Sequence, residues 1–73
     1  MCLAVPAKVI NIDSSHAEVD LMGVHKEVNI LLIDNPRVGD KVMVHAGFAI
    51  NKIDDEYYNF LRDTLQNMLR DMP

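Results

Sequence analysis

The sequence predicts a small, mainly β protein: a five-stranded antiparallel barrel followed by one carboxy-terminal α-helix. The chain has 73 residues, which is enough for one domain and not for two. Up to residue 53 it consists of short β-type segments separated by turn signals, and from Asp54 onward the apolar residues recur at helical spacing. Five short strands favour a closed barrel, because closure removes the exposed strand edges that promote aggregation.

Each strand is predicted from alternating polarity or from a concentration of β-branched residues. Ser14-Ser15 and Met22-Gly23 are typical of hairpin turns, and a longer loop is bounded by Asp34-Asn35-Pro36 and Gly39-Asp40. The predicted strand segments are residues 10–13, 17–21, 24–33, 41–45 and 48–53.

The pattern changes at Asp54, a good N-cap residue, after which Asp55 and Glu56 place negative charge where the helix dipole favours it. We therefore divide the single domain into a barrel, residues 1–53, and a helix packed on it, residues 54–73. The helix should have four to five turns and be about 25 Å long. Its apolar stripe, which we expect to be packing surface, consists of Tyr58, Leu61, Leu65, Met68, Leu69 and Met72.

Composition narrows the class of function. The formal net charge is −4, whereas proteins that bind duplex nucleic acid are usually basic. All aromatic residues lie at or after Phe48, so the first strands offer no platform for stacking bases. No apolar run approaches the roughly 18 residues of a membrane span, and the chain opens with nothing like a secretory signal. We expect a cytoplasmic protein, monomeric when free, that binds neither nucleic acid nor membrane.

Cys2 is the residue with the most distinctive chemistry. It is the single cysteine, so it forms no disulfide within the chain. If Met1 is removed, the α-amine next to the thiol lowers the thiol pKa and favours the thiolate, which binds soft metals. One thiol and no paired ligand motif cannot hold a metal alone. A second protein, or small ligands already on the metal, must complete the shell. The competing interpretation is that Cys2 is a buried small hydrophobe.

The three histidines are weaker candidates, since a lone histidine is more often a surface residue than a ligand. His45 ends the fourth strand, and Gly47 two residues later lets another backbone approach closely. A catalytic arrangement of Cys2, His45 and an acid is conceivable, but nothing marks an oxyanion hole.

Two blocks of the sequence stand out. The first is the amino-terminal run Met-Cys-Leu-Ala-Val-Pro-Ala-Lys-Val, and the second is Val38-Gly39-Asp40-Lys41-Val42-Met43-Val44-His45-Ala46-Gly47-Phe48-Ala49. With these two blocks the sequence resembles the HypC/HupF/HybG family of hydrogenase maturation factors. The first block matches the family's amino-terminal signature, and the second matches its Val-Gly-Asp-x-Val-x-Val-His-x-Gly-Phe-Ala stretch. The chain stops at Pro73, whereas many members carry further residues after the helix.

The resemblance implies a barrel like the oligonucleotide/oligosaccharide-binding fold and a non-catalytic role as an assembly chaperone. It implies a partner, the iron–sulfur protein HypD, with which the chain shares an iron atom carrying cyanide and carbon monoxide. It also implies delivery of that iron to the precursor of the [NiFe]-hydrogenase large subunit. Cys2 matches the family's key cysteine, and His45 matches its secondary candidate. The expected partner-binding residues are Cys2, Leu3, Ala4, Val5, Pro6, His45 and Gly47.

Three other functions remain as alternatives from the residues alone. The first is a small nucleic-acid-binding barrel, which the charge and the aromatic placement disfavour. The second is a thiol redox enzyme, which would usually need a resolving cysteine that this chain lacks. The third is a non-catalytic subunit of another assembly.

Overall fold

The computed structural model describes residues 4–70 and confirms the predicted class, a closed five-stranded barrel with a single carboxy-terminal helix. The strands are β1 (Val5–Asp13), β2 (His16–Leu21), β3 (Val24–Asn29), β4 (Lys41–His45) and β5 (Phe48–Ile53), and the helix is α1 (Asp55–Arg70).

The strands close in the order β1-β2-β3-β5-β4, and β4 pairs with β1. Four of the neighbouring pairs are antiparallel, and β3 with β5 is parallel. A ring of five strands cannot alternate direction all the way round, so one parallel pair is unavoidable. That pair is short: its register joins only Asn29 to Phe48, and Asn29 N–H donates to the Gly47 carbonyl oxygen at 2.9 Å.

Small aliphatic residues fill the barrel. Alternate residues of each strand point inward, and the interior of so small a barrel has room only for compact side chains. Val9, Val19 and Val42 are completely or almost completely buried. The rest of the buried cluster is Ala7, Ala17, Val28, Ile30, Ile33, Val44 and Ala49.

Three strand ends differ from the prediction, the smallest difference being that β2 begins at His16 rather than at residue 17. β1 begins at Val5 rather than at residue 10, because its first residues pair with β4. β3 ends at Asn29 rather than at Ile33. The Asn29 side chain accepts a hydrogen bond from Leu31 N–H at 2.8 Å, and Ile33 N–H donates to the Ile30 carbonyl at 3.1 Å. These local bonds replace the strand with a turn.

Asp40 fixes the end of the loop between β3 and β4. Its carboxylate accepts a hydrogen bond from Arg37 N–H at 2.8 Å and contacts Lys52 Nζ at 3.2 Å. Burial raises the pKa of Asp40. The Arg37 N–H bond, the Lys52 ammonium and the Arg37 charge together lower it by more, so the pKa lies below its ordinary value. Lys52 also donates to the Asn35 carbonyl at 2.9 Å, which ties the loop to β5.

The helix begins as predicted. Asp54 Oδ1 accepts a hydrogen bond from Tyr57 N–H at 2.7 Å, as expected of an N-cap carboxylate. Tyr58 is buried, with Lys41 Nζ at 5.8 Å and the Arg62 guanidinium at 5.6 Å from its ring centre. Lys41 Nζ also lies 3.2 Å from Asp55 Oδ1. The first turn of α1 is therefore attached to the start of β4.

The second half of the helix extends away from such contacts. Leu61 and Leu65 are half-buried, whereas Met68 and Leu69 are 61% and 58% exposed. The expectation that the whole stripe is packing surface is therefore wrong for Met68 and Leu69, while Met72 lies outside the described residues. The molecule measures 40 × 24 × 20 Å. Within residues 4–70, no helix is long and apolar enough to cross a membrane.

Candidate functional site

The β4–β5 hairpin turn is one side of the candidate site. His45 pairs with Phe48 across a two-residue turn, Ala46-Gly47, whose φ angles are +52° and +85°. Two successive positive φ values define a type I′ turn, which matches the twist of the flanking strands. Gly47 adopts this conformation without strain, and a side chain there would meet no atom within 4 Å. The turn is open to an approaching molecule.

The beginning of β1 is the other side. Val5 pairs with Val44, and Pro6, which is fully buried, pairs with Met43. Pairing between β1 and β2 begins only at Lys8, so Pro6 lies where β1 has one neighbouring strand. A strand tolerates a proline there, because the missing N–H leaves no ladder bond unmade. One residue beyond the Val5–Val44 pair stand Ala4, which is exposed, and His45, which is half-buried.

His45 differs from the other two histidines in its contacts. His16 Nδ1 lies 3.1 Å from Ser15 Oγ, and His25 Nδ1 lies 2.9 Å from a Glu18 carboxylate oxygen. Within residues 4–70 the His45 ring makes no hydrogen bond or ion pair. Of the three histidines, His45 therefore has the ring nitrogens that are available to bind a ligand or a residue outside residues 4–70.

The roles predicted for the site residues stay predictions. The structure brings Ala4, Val5 and Pro6 beside β4, which ends at His45 and is followed by the turn that contains Gly47. Cys2 and Leu3 lie outside the described residues, so their roles, and the pairing of Cys2 with His45, stay predictions. Among residues 4–70, no group of three or more His, Cys, Asp and Glu side chains is placed to hold a metal ion.

Sequence reasoning missed two residues next to this site. Leu31 and Leu32 were placed in the middle of a strand, but they lie in the turn that follows Asn29. Asn29 was the available signal, because an asparagine side chain readily bonds to the backbone two residues on and ends a strand.

Comparison with known proteins matches this chain to the HupF/HypC family over residues 1–65. The chain therefore belongs by its sequence to a family of hydrogenase maturation factors, the HupF/HypC family. The hydrogenase maturation factor HypC of Escherichia coli K12 is 38% identical over 74 residues, covering 93% of this chain and 82% of that protein.

Two further relatives bear the same name. The HypC of Rhizobium leguminosarum bv. viciae is 46% identical over 57 residues, covering 77% of this chain and 76% of that protein. The HypC of Cupriavidus necator is 46% identical over 57 residues, covering 77% of this chain and 63% of that protein. The family match begins at residue 1, so it includes the segment that carries Cys2.

Proposed function

We propose that this chain is a hydrogenase maturation chaperone that holds iron jointly with HypD and passes it to the precursor of the [NiFe]-hydrogenase large subunit. The observation that carries the proposal is the family match over residues 1–65, together with relatives that are named hydrogenase maturation factors. The iron, with its cyanide and carbon monoxide ligands, is cargo and not a resident cofactor. The chain acts in assembly and not as an enzyme.

Cys2 is the proposed iron ligand from this chain. A thiolate is a soft donor suited to an iron atom that already carries strong-field carbon ligands. A site completed by two proteins also allows the iron to be transferred. When one of the two proteins is replaced by the large-subunit precursor, the ligands of the iron change and neither protein has to unfold.

His45 is the proposed auxiliary residue. Cys2 is three residues before Val5 in the sequence, and Val5 pairs with Val44, the residue before His45. This neighbourhood supports the proposal that the imidazole contacts cargo held by Cys2. It would donate a hydrogen bond to a cyanide nitrogen or act as a weak additional ligand.

The proposal is tested by Cys2→Ser in cells that lack the wild-type gene. Serine keeps the size of the side chain and removes the soft donor, so the fold should persist and hydrogenase maturation should be abolished. The readouts are hydrogenase activity and accumulation of the large-subunit precursor. His25→Ala, an exposed histidine paired with Glu18, is the matched control and should mature the enzyme normally. Full maturation by soluble, folded Cys2→Ser protein would refute the proposal.

A further inference from the structure

The turn after β3 exposes two adjacent leucines. Leu31 and Leu32 are 70% and 61% exposed. They are the central residues of a turn closed by the hydrogen bond from Ile33 N–H to the Ile30 carbonyl. Such positions ordinarily hold Gly, Pro, Asn, Asp or Ser, for conformational reasons that do not apply to leucine. Their aliphatic side chains contribute little to the core, so their presence needs another reason.

The turn is held rigidly against the barrel. Its two outer residues, Ile30 and Ile33, are buried at 4% and 8% exposure. Ile30 N–H donates to the Ser15 carbonyl at 2.9 Å, and Leu31 N–H donates to Asn29 Oδ1 at 2.8 Å. The backbone that carries the two leucines is therefore already ordered. Covering them with another surface costs little additional conformational entropy.

The same turn adjoins the candidate site. Asn29, two residues before Leu31, donates its N–H to the Gly47 carbonyl and pairs in register with Phe48. Phe48 is 43% exposed and pairs with His45. We call Leu31, Leu32 and Phe48 the apolar patch. Its residues belong to the two segments that meet at the Asn29–Phe48 pair, next to the β4–β5 turn.

We propose that the apolar patch docks the protein with which this chain shares its iron, which in the proposed function is HypD; the inference rests on that function. Iron bridged between two proteins brings donors of both within bonding distance of one atom, so the partner must cover the surface around Cys2. A standard interface takes roughly 800 Å² from each protein, a disc of about 16 Å radius. The whole chain exposes 5050 Å².

The strand order places the apolar patch inside such a footprint. From β1 to β3, by way of β4 and β5, there are three strand spacings. At about 4.8 Å each they amount to about 14 Å. This path runs around the wall of the closed barrel, and the β4–β5 turn lies midway along it. An interface centred on that turn reaches the start of β1 on one side and the turn that follows β3 on the other.

The charge distribution identifies the chemistry of the partner's surface. The residues that connect the apolar patch to the site, Asn29, Ala46 and Gly47, are uncharged. Elsewhere on the barrel, Glu18 and Glu27 stand directly opposite each other on β2 and β3, a repulsive like-charge pair that would be costly to bury against another protein. Interface centres are depleted in charged residues. The fitting surface is thus an apolar, uncharged region surrounding the partner's own iron-binding donors.

The test is the affinity of the purified chain for tagged HypD. The double substitution Leu31→Ser, Leu32→Ser should weaken binding at least tenfold and leave the melting temperature unchanged, because serine suits a turn. Val38→Ser removes another exposed apolar side chain, 62% exposed in the same loop, and should change the affinity less than twofold. Leu31→Met, Leu32→Met keeps the surface apolar and should retain binding.

Each result either supports or overturns the inference. HypD binding that survives the serine pair overturns it, and so does loss of binding in the methionine pair or in Val38→Ser. If the serine pair binds HypD normally but fails to mature hydrogenase, the apolar patch serves the large-subunit precursor and the assignment to HypD is wrong. If the wild-type chain itself does not bind HypD, the proposed function fails and the inference with it.

Discussion

The contacts that a side chain makes in this protein depend on the residues next to it along the chain and across the strands. His45 is half-buried at the end of β4 and pairs with Phe48, whereas His16 and His25 contact Ser15 and Glu18. Residue type alone could not distinguish the three histidines, because each of them could have had a hydrogen-bond or ion-pair partner on a neighbouring strand. The His45 ring is available for a ligand because of the register between β4 and β5. That register depends on the turn at Ala46-Gly47.

Asp40 gives a prediction at the same scale. Its folded-state pKa is depressed, so its charge stabilises the fold above the unfolded-state pKa, about 3.9, and the stabilisation is lost as the pH falls through the folded-state value. Asp40→Asn should lower the free energy of unfolding at pH 7 by about 1 kcal/mol, because the bond to Lys52 loses its ionic character. The difference should vanish well below pH 4.

Urea unfolding at pH 7 and at pH 3 measures this effect. Asp34→Asn, an exposed carboxylate in the same loop, is the control and should be neutral at both pH values. A destabilisation by Asp40→Asn that persists unchanged at pH 3 would show that the Asp40 charge is not its source.

At the scale of elements, α1 is one helix with two different environments. Its first turn is capped by Asp54 and attached through Tyr58, Lys41 and Arg62. Its later residues Met68 and Leu69 belong to the same stripe but face solvent. A periodic pattern identifies a helix and its apolar face, but it does not say how far the neighbouring element extends beneath that face.

This difference predicts a gradient of stability along the helix. Tyr58→Ala should lower the free energy of unfolding by about 3 kcal/mol or more, since it empties a buried aromatic site. Leu69→Ala, on the exposed turn, should change it by less than about 0.5 kcal/mol. Leu65→Ala should fall between the two. Urea unfolding of the three variants measures the gradient. Equal losses at Tyr58 and Leu69 would show that the last turns are packed in solution.

The strands were predictable where their signal is local. The β1–β2 and β2–β3 hairpin turns, at Ser14-Ser15 and Met22-Gly23, lie where turn residues predicted them. The start of β1 at Val5 was missed because it depends on pairing with β4, some 40 residues later. The end of β3 was missed because the hydrogen bond of the Asn29 side chain outweighs the β-propensity of the aliphatic residues that follow.

At the scale of the whole molecule, barrel closure joins segments that are far apart in the sequence. The β4–β5 turn meets the start of β1 on one side and the end of β3 on the other. The sequence could identify Cys2, His45 and Gly47 as candidates through the family signature. It could not place Leu31 and Leu32 near the β4–β5 turn, because that neighbourhood depends on the parallel pair between Asn29 and Phe48. The division into residues 1–53 and 54–73 stays a prediction.

The central claim is that this chain carries one ligand of an iron atom shared with a partner. The most direct measurement is infrared spectroscopy of the anaerobic complex purified through tagged HypD, with the wild-type chain and with Cys2→Ser. We expect bands of iron-bound cyanide and carbon monoxide in the wild-type complex and their loss in the variant, although the variant protein remains folded. Bands of equal intensity per iron in the Cys2→Ser sample, or in HypD purified without this chain, would contradict the claim.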